Sequence, residues 1–339
     1  MTQTPWIGRE SVVSLPSYIR LHDTGVLEER AQLLRSRLAS CDICPRVCGV
    51  DRLHDETGFC ASPSRALVVS ACAHRGEEPP VSGSRGSGAV FFANCNLRCV
   101  YCQNHQISQE PEAFALQPGS AEALADAMLR LQDEHLCHNI NVVSPTHFVP
   151  QIVEALCLAA NRGLRLPLVY NTNAYDSVET LRMLDGIVDV YLPDIKYSST
   201  RVAAQLSGAG DYVDVARAAI VEMCRQVGTD LILDEEGAVA RGLIVRHLVL
   251  PGSLAGSEDS LKWLAQEVST EVTLSIMSQY YPAHRALGMA ILSRRVNRQE
   301  YGAVVRIAQE LGFDHIWAQQ AEASGNYRPD FSRDGHPFE

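Results

Sequence analysis

Short, mostly apolar runs alternate with amphipathic stretches from residue 89 onward, and this alternation constrains the fold more than any other feature. The apolar runs lie near residues 89–93, 139–143, 166–170, 187–192, 243–249 and 271–277, with another near 314–318. The stretches between them have helical periodicity and lie near residues 121–134, 150–162, 177–185, 212–227, 258–268 and 298–311. Continuously apolar strands are typical of a parallel sheet that is buried on both faces. Six successive strand–helix units therefore predict a parallel α/β fold, either an open doubly wound sheet or an incomplete barrel.

The first 88 residues have a different texture. Their one helical pattern comes from Leu27, Ala31, Leu34 and Leu38, which recur at helical spacing. A charged, turn-rich segment with four cysteines follows, and an irregular segment, HRGEEPPVSGSRGSG, runs to Gly88. We therefore divide the chain into an N-terminal helix and cysteine-rich metal-binding extension at residues 1–88 and a core at residues 89–339.

Composition excludes several classes of protein. The 339 residues are 46% hydrophobic and 20% charged, which is ordinary for a globular chain. The formal charge of −11 is opposite in sign to that of proteins that bind nucleic acids or anionic membranes. The N-terminus lacks the basic and apolar regions of a secretory signal, and no run approaches the roughly 18 apolar residues of a membrane span. We expect a cytoplasmic chain with neither a nucleic acid nor a membrane as a partner.

Eleven cysteines point to metal chemistry, because clustered thiols in a reducing compartment are more often metal ligands than disulfides. Cys95, Cys99 and Cys102 have the spacing C-x3-C-x2-C directly after the first apolar run. Three thiolates can hold one compact metal centre and leave a coordination position open for a ligand. A closed site that recruits a fourth ligand such as His105 is the alternative.

Polar residues also follow the later strands, at the edge where parallel α/β folds carry their chemistry. In chain order, these residues are Ser144, Thr146, His147, Asn171, Asn173, Asp194 and Lys196, with Arg246 inside the fifth run. A buried guanidinium requires a partner and suits two-point contact with a carboxylate. We expect these side chains to converge at one end of the fold.

The segment FFANCNLRCVYCQNHQIS resembles the signature of the radical S-adenosylmethionine (SAM) superfamily. More narrowly, the chain resembles the branch related to pyruvate formate-lyase activating enzyme. The further matches are CDICPRVCGVDR, GEEPP, NINVVSPTH, YNTNAYD, YLPDIKY, RHLVLPG and SGNYRPDF. The resemblance implies an incomplete (β/α)6 TIM-like barrel with an N-terminal cysteine-rich extension. It also implies reductive cleavage of SAM at a [4Fe-4S] cluster to a 5′-deoxyadenosyl radical, which abstracts hydrogen from an unidentified substrate.

The resemblance also implies roles for individual residues. Cys95, Cys99 and Cys102 would ligate three irons of the cluster, and SAM would chelate the fourth. The implied SAM contacts are Tyr101, Ser144, Thr146, His147, Asn171, Asn173, Asp194, Lys196 and Arg246. Residues 144–147 stand where the family has a glycine-rich turn, so the roles of those side chains stay open. No residue is assigned as catalytic, and a reducing partner such as flavodoxin or ferredoxin is implied.

The extension carries a second thiol set, formed by Cys41, Cys44, Cys48 and Cys60. A complete four-thiolate set predicts a closed site, either an auxiliary [4Fe-4S] cluster or a structural zinc ion. Pro45, directly after a cysteine, favours the cluster. Three further cysteines, Cys137, Cys157 and Cys224, are predicted to be core residues, and Cys72 is unassigned.

Two other functions stay open. The first is activation of a glycyl-radical enzyme, in which the substrate is a protein or peptide. The second is a non-catalytic iron–sulfur or zinc protein with a role in electron transfer or structure.

Overall fold

A single sheet of nine strands runs through the part of the chain covered by the computed structural model, which describes residues 15–114, 116–319, 329–333 and 336–338. The strands are β1 Val68–His74, β2 Ser87–Phe92, β3 Ile140–Val143, β4 Leu168–Thr172, β5 Val190–Pro193, β6 Ile232–Leu233, β7 Val239–Leu248, β8 Thr273–Met277 and β9 Ile316–Ala318. Their order is β1-β2-β3-β4-β5-β7-β8-β9, with β6 paired to β7 off this path.

The sheet is parallel from β2 to β9, while β1 and β6 pair antiparallel with β2 and β7. The predicted parallel α/β fold is therefore confirmed, and each of the seven predicted strands is present. The edge strand β1 escaped prediction because it is mostly half-buried, so it lacks a continuous apolar run. It belongs to the predicted extension and pairs with the first strand of the predicted core. The division at residue 88 stays a prediction.

Helices follow the strands in the expected alternation. They are α1 Ser17–Asp23, α2 Val26–Ser36, α3 Pro79–Ser82, α4 His105–Ser108, α5 Ala121–Asp133, α6 Val149–Asn161, α7 Val178–Met183, α8 Thr200–Ser207, α9 Tyr212–Val227, α10 Ser257–Glu267 and α11 Arg298–Glu310. Local sequence sets several of their starts. The Ser120 side chain accepts the Ala123 N–H at the start of α5, and Asn297 and Glu300 form a capping box at the start of α11.

The two faces of the strands pack against different partners. In β4, Leu168 and Tyr170 belong to the large core that includes the helices, whereas Val169 packs with Val190 and Val81 of α3. This alternation follows from the two-residue period of a strand. Since β1 and β2 are antiparallel, the last residue of β1 lies beside the first residue of β2. The segment that joins them contains α3, which therefore lies at the amino ends of the parallel strands. We call α3 and residues 77–78 the floor, and the carboxyl ends of the parallel strands the mouth.

The sheet curves around the space above the floor. The Glu77 carboxylate contacts Asn141 in β3 and Arg246 in β7, two strands that are three places apart in the sheet. In a flat sheet these strands would be about 14 Å apart, which is too far for one carboxylate to reach both. This curvature is that of an incomplete barrel, in which β1 and β9 are the free edges of the strand path among the described residues.

The C-terminal segment returns to the first two strands. Phe331 and Phe338 pack with Phe91 of β2, in a cluster that also contains the buried Cys72. Of the three thiols predicted to be core residues, Cys137 and Cys157 are buried in the main core, and Cys224 is partly buried against it. Of the SGNYRPDF match, residues 324–328 lie outside the described residues. Within the described chain, no helix is long and apolar enough to cross a membrane.

Acid should destabilise this fold through its buried histidines. His247 is fully buried, its Nδ1 lies 2.7 Å from the Ile195 carbonyl oxygen, and burial lowers its pKa to about 4. The unfolded chain binds a proton near pH 6.5 and the folded chain does not, so this contribution to stability is complete above pH 6.5 and declines as the pH falls towards 4.

We therefore predict that, between pH 7 and pH 5, the wild-type chain loses about 2 kcal/mol more free energy of unfolding than His247→Gln does. Urea unfolding at the two pH values measures the difference. The same exchange at the exposed His135 is the control. Equal losses in the wild type and His247→Gln would contradict the prediction.

Candidate functional site

Three thiols lie on the loop that leaves β2 at the mouth, residues 93–104, which we call the triplet loop. Burial, together with the smaller effect of the neighbouring Cys99 thiol, raises the pKa of Cys95 to about 11 and that of Cys102 to about 12. The three sulfurs therefore lie within electrostatic reach of one another. Because burial opposes their ionisation, a cationic centre is needed to stabilise them as thiolates.

Each of these sulfurs has a polar hydrogen beside it. Cys95 Sγ accepts from the Leu97 N–H at 3.4 Å and from the Asn173 amide at 3.5 Å. The Ser207 hydroxyl donates to Cys99 Sγ at 3.0 Å, and Ser108 Oγ lies 3.2 Å from Cys102 Sγ. Such donors suit metal-bound thiolates, whose potential they tune. The donor set therefore fits an iron–sulfur cluster with three protein ligands.

Neighbouring elements hold the triplet loop in place. The end of α8 accepts two of its backbone N–H groups, Arg98 to Ser207 O at 3.1 Å and Val100 to Leu206 O at 2.8 Å. The Asn96 amide donates to the Tyr175 carbonyl oxygen at 2.7 Å and accepts from Asn173 at 2.9 Å. The loop is therefore fixed by segments that follow β4 and β5, at the same end of the sheet.

Tyr101 belongs to the triplet loop and is buried, with its hydroxyl engaged by another side chain. Its hydroxyl lies 2.5 Å from that of Tyr197, which in turn lies 2.7 Å from Ser207 Oγ. Ser207 is the donor to Cys99, so a chain of hydroxyls connects Tyr101 to a cysteine sulfur. The ring of Tyr101 contacts Tyr280 edge-on, with a centroid separation of 5.9 Å.

The second thiol set, Cys41, Cys44, Cys48 and Cys60, is also brought together. Burial raises the pKa of Cys44 to about 12, and the three other thiols of the set raise it further. A Cβ atom at Gly58 would lie only 2.5 Å from Cys48 Sγ, so a glycine is needed for this close approach. Among the described residues, no three His, Cys, Asp or Glu side chains are grouped around a single ion position. This finding is compatible with an iron–sulfur cluster, because the protein ligands of a cluster bind separate irons.

Two arginines join the two thiol segments. The Arg46 guanidinium lies 3.7 Å from the Phe59 ring centroid and 5.0 Å from that of Tyr175. Arg46 also donates to the Asn96 carbonyl oxygen at 3.0 Å, and Arg98 of the triplet loop donates to the Phe59 carbonyl oxygen at 2.8 Å. The two thiol segments are thus in direct contact.

Inside the barrel, Arg246 is the centre of a buried ionic network. Its Nε donates to Asp194 at 3.1 Å, its Nη1 to Glu77 at 3.2 Å and its Nη2 to the Asn171 amide oxygen at 3.0 Å. Lys196 donates to the second oxygen of Asp194 at 2.5 Å. The predicted convergence of Asn171, Asp194, Lys196 and Arg246 therefore occurs, with a floor residue added to it.

The acids of the floor were not singled out from the sequence. Glu77 accepts from the Asn141 amide at 3.0 Å as well as from Arg246. Glu78 lies 4.0 Å from Arg246 Nη1, and the nearby Ser275 works to lower its pKa. The available signals were an acidic pair directly before two prolines and an asparagine inside an apolar strand. Each such residue needs a buried partner.

The network balances burial against charge. Burial works to raise the pKa of Asp194, but the adjacent Lys196 ammonium and Arg246 guanidinium outweigh it and hold the pKa below its usual value. Burial works to lower the pKa of Lys196, and the Asp194 carboxylate outweighs it. Burial raises the pKa of Glu78, and Arg246 only partly offsets this effect.

The remaining predicted SAM contacts do not join this network. Thr146 donates to the buried Asp176 at 2.8 Å, and His147 Nε2 lies 2.9 Å from the Ala93 carbonyl oxygen. Burial lowers the pKa of His147 to about 3, so the ring is neutral. Ser144 is half-buried at the end of β3 with φ of 50°, and its N–H donates to the Asn171 carbonyl oxygen at 2.7 Å. Asn173 contacts the triplet loop instead.

Comparison with known proteins finds a matching family model and similarity to individual proteins. Residues 89–233 match the family model described as the radical SAM superfamily. The protein of Methanocaldococcus jannaschii named Uncharacterized protein MJ0674 is 27% identical over 299 residues, which cover 86% of this chain and 81% of that protein. HydG, a maturase of the [FeFe]-hydrogenase, has 14% sequence identity and a TM-score of 0.42, with coverage of 66% of this chain and 48% of HydG.

Removal of the central cation should be costly. In Arg246→Met, the Glu77, Glu78 and Asp194 carboxylates would be left with Lys196 as the only cation of the network. Because uncompensated buried charge is expensive, we predict a loss of about 3–5 kcal/mol in the free energy of unfolding, measured with urea.

The control is Lys262→Met, which breaks an exposed pair with Glu258 and should cost less than about 1 kcal/mol. Adding Glu77→Gln to Arg246→Met should restore part of the loss, because one of the unpaired charges is then removed. Equal costs for Arg246→Met and Lys262→Met would contradict the ionic network.

Proposed function

The chain carries a radical SAM superfamily domain at residues 89–233, and on that premise we propose an enzyme that cleaves SAM reductively and abstracts hydrogen from a substrate. The single observation that carries this proposal is the triplet loop. Its three thiols lie together at the mouth of a parallel barrel, each with a polar hydrogen beside it. The match to the superfamily confirms the broader resemblance, whereas the narrower one to the pyruvate formate-lyase activating enzyme branch stays a prediction.

Cys95, Cys99 and Cys102 would hold a [4Fe-4S] cluster. When bound, the cluster supplies the one electron that splits SAM into methionine and a 5′-deoxyadenosyl radical. Asn173 and the Leu97 N–H orient Cys95, and Ser207 orients Cys99. These donors favour the thiolate form of each ligand, so they prepare the loop for metal binding.

The mouth also offers a site for the charged methionyl end of SAM. The Lys196 ammonium has three hydrogens to donate, and it donates to Asp194. This hydrogen bond holds the ammonium in place beside the triplet loop. The further hydrogens of Lys196 suit a carboxylate, and we assign the SAM carboxylate to them. The Asn171 amide is engaged by Arg246 and Glu77, so we infer that it positions Arg246. The SAM contacts of Tyr101, Ser144, Thr146, His147 and Asn173 stay predictions.

We further propose that Cys41, Cys44, Cys48 and Cys60 hold an auxiliary metal centre. Two hydrogen bonds support a role coupled to the triplet loop, because they join the two segments directly: Arg46 donates to the Asn96 carbonyl oxygen and Arg98 donates to that of Phe59. An auxiliary cluster would be well placed to exchange electrons with the first, whereas a zinc ion would stabilise the loop. A cytoplasmic location and a reducing partner such as flavodoxin or ferredoxin stay predictions, as does a protein or peptide substrate.

The proposal predicts SAM cleavage that depends on the triplet loop. After anaerobic reconstitution with iron and sulfide, the dithionite-reduced wild-type chain should give an electron paramagnetic resonance (EPR) signal that changes when SAM is added, and it should release 5′-deoxyadenosine. Cys99→Ala should lose both responses, because the cluster then lacks one ligand.

Cys224→Ala is the matched control, since this thiol is only partly buried against the core and is remote in sequence from both thiol sets. An intact cluster that releases no 5′-deoxyadenosine would contradict the enzyme and favour a non-catalytic electron-transfer protein. Unchanged product from Cys99→Ala would contradict the assignment of the triplet.

Metal analysis tests the auxiliary site separately. The double variant Cys41→Ala/Cys44→Ala should lose about four irons per chain if the site holds a cluster and one zinc if it holds zinc. Cys137→Ala/Cys157→Ala is the control, because these thiols lie in the core. Unchanged iron and zinc contents in the first variant would show that the set binds no metal.

A further inference from the structure

Two acceptor atoms inside the barrel are buried and have no hydrogen-bond donor among the described residues: Glu78 Oε2 and Asn141 Oδ1. The Glu78 side chain is 8% exposed, and Asn141 is fully buried. Both atoms belong to one cluster, because the Asn141 amide donates to Glu77 and both glutamates face Arg246 Nη1. Neither acceptor is used by the proposed cleavage of SAM.

Buried acceptors without donors are uncommon in folded proteins, because each forfeits the hydrogen bonds that it makes to water in the unfolded chain. The protein side chains around these atoms are already committed. Arg246 is directed to Glu77, Asp194 and Asn171, and the Asn171 amide hydrogens are directed to Glu77. The missing donor therefore comes from outside the described residues.

Charge indicates what kind of donor fits. The barrel interior holds three carboxylates, Glu77, Glu78 and Asp194, against two cations, Arg246 and Lys196. With all five groups ionised, the interior has one excess negative charge. A second carboxylate or a phosphate, in addition to the SAM carboxylate at Lys196, would add to that excess, whereas a cationic nitrogen would reduce it and supply the missing hydrogens.

Depth distinguishes this position from the SAM site. Asp194 and Lys196 follow the end of β5 at the mouth. Asn141 is the second residue of β3 and is in register with Val169 and with Val190, the first residue of β5, and Glu78 belongs to the floor. A group held here lies deeper in the barrel than the residues assigned to SAM. The remainder of the same molecule would extend towards the mouth, where hydrogen is abstracted.

We propose that the substrate carries a cationic nitrogen, an ammonium or a guanidinium, which Glu78 and Asn141 bind inside the barrel. This inference rests on the proposed function and names the substrate class of the same enzyme. It assigns to Glu78 the role of the charged anchor and to Asn141 that of a second acceptor. Glu77 is a positioning residue, since it holds both Asn141 and Arg246.

The test uses methylammonium, the smallest organic cation with this chemistry, and methanol as the neutral compound of equal size. Binding to the full-length chain without SAM is followed by saturation-transfer NMR at constant ionic strength. A ligand of two heavy atoms binds in the millimolar range at best. We expect saturable binding of methylammonium to the wild type, no saturable binding of methanol, and at least tenfold weaker methylammonium binding to Glu78→Gln.

Glu179→Gln, which removes the same charge from an exposed position on α7, is the matched control and should bind like the wild type. If a thermal melt shows that Glu78→Gln does not fold, Asn141→Leu removes the other acceptor and gives the same comparison. Equal binding of methylammonium and methanol, or equal binding by the wild type and a folded variant, would overturn the inference and leave water as the occupant of the site.

The two proposals fail in different ways. Formation of 5′-deoxyadenosine by the reconstituted wild type, without methylammonium binding, would overturn the substrate assignment alone. Methylammonium binding without any 5′-deoxyadenosine would overturn the proposed function, and the substrate assignment with it.

Discussion

The interior of this protein depends on the Arg246 guanidinium. Arg246 lies in β7, and its three donor directions reach the floor at Glu77, the next-but-one strand at Asn171 and the mouth at Asp194. A buried guanidinium with fewer acceptors would be expensive, so the acids on both sides are a condition of the fold. Because one group connects the floor to the mouth, the curvature of the sheet and the position of Lys196 follow from the same interaction.

The sequence predicted the strand–helix alternation because continuously apolar strands and amphipathic helices are local patterns. It also predicted that Asn171, Asp194, Lys196 and Arg246 would meet, since residues at the carboxyl ends of parallel strands share one edge. It could not predict the contribution of Glu77 and Glu78. These residues lie on an irregular segment after an edge strand, and their contacts depend on how α3 closes the amino end of the barrel, which is a tertiary feature without periodicity.

The same distinction applies to the predicted SAM contacts. Thr146 and His147 follow β3 as closely as Asn171 follows β4, yet their side chains are engaged by Asp176 and by the Ala93 carbonyl oxygen. Position after a strand indicates the correct end of the barrel, but the direction of a side chain is set by its neighbours. The contact between the two thiol segments was equally hidden, because the bonds from Arg46 to Asn96 and from Arg98 to Phe59 join residues that are far apart in sequence.

The position of Arg246 between two acidic groups also couples the proposed substrate and SAM sites. Glu77 and Glu78 compete with Asp194 for the same guanidinium. A cation bound at Glu78 would neutralise part of the floor and leave Arg246 more strongly committed to Asp194, the residue that holds Lys196. The floor and the mouth are then linked by charge alone, without movement of the backbone. Binding at one site should therefore alter affinity at the other, and by thermodynamic linkage the effect is reciprocal.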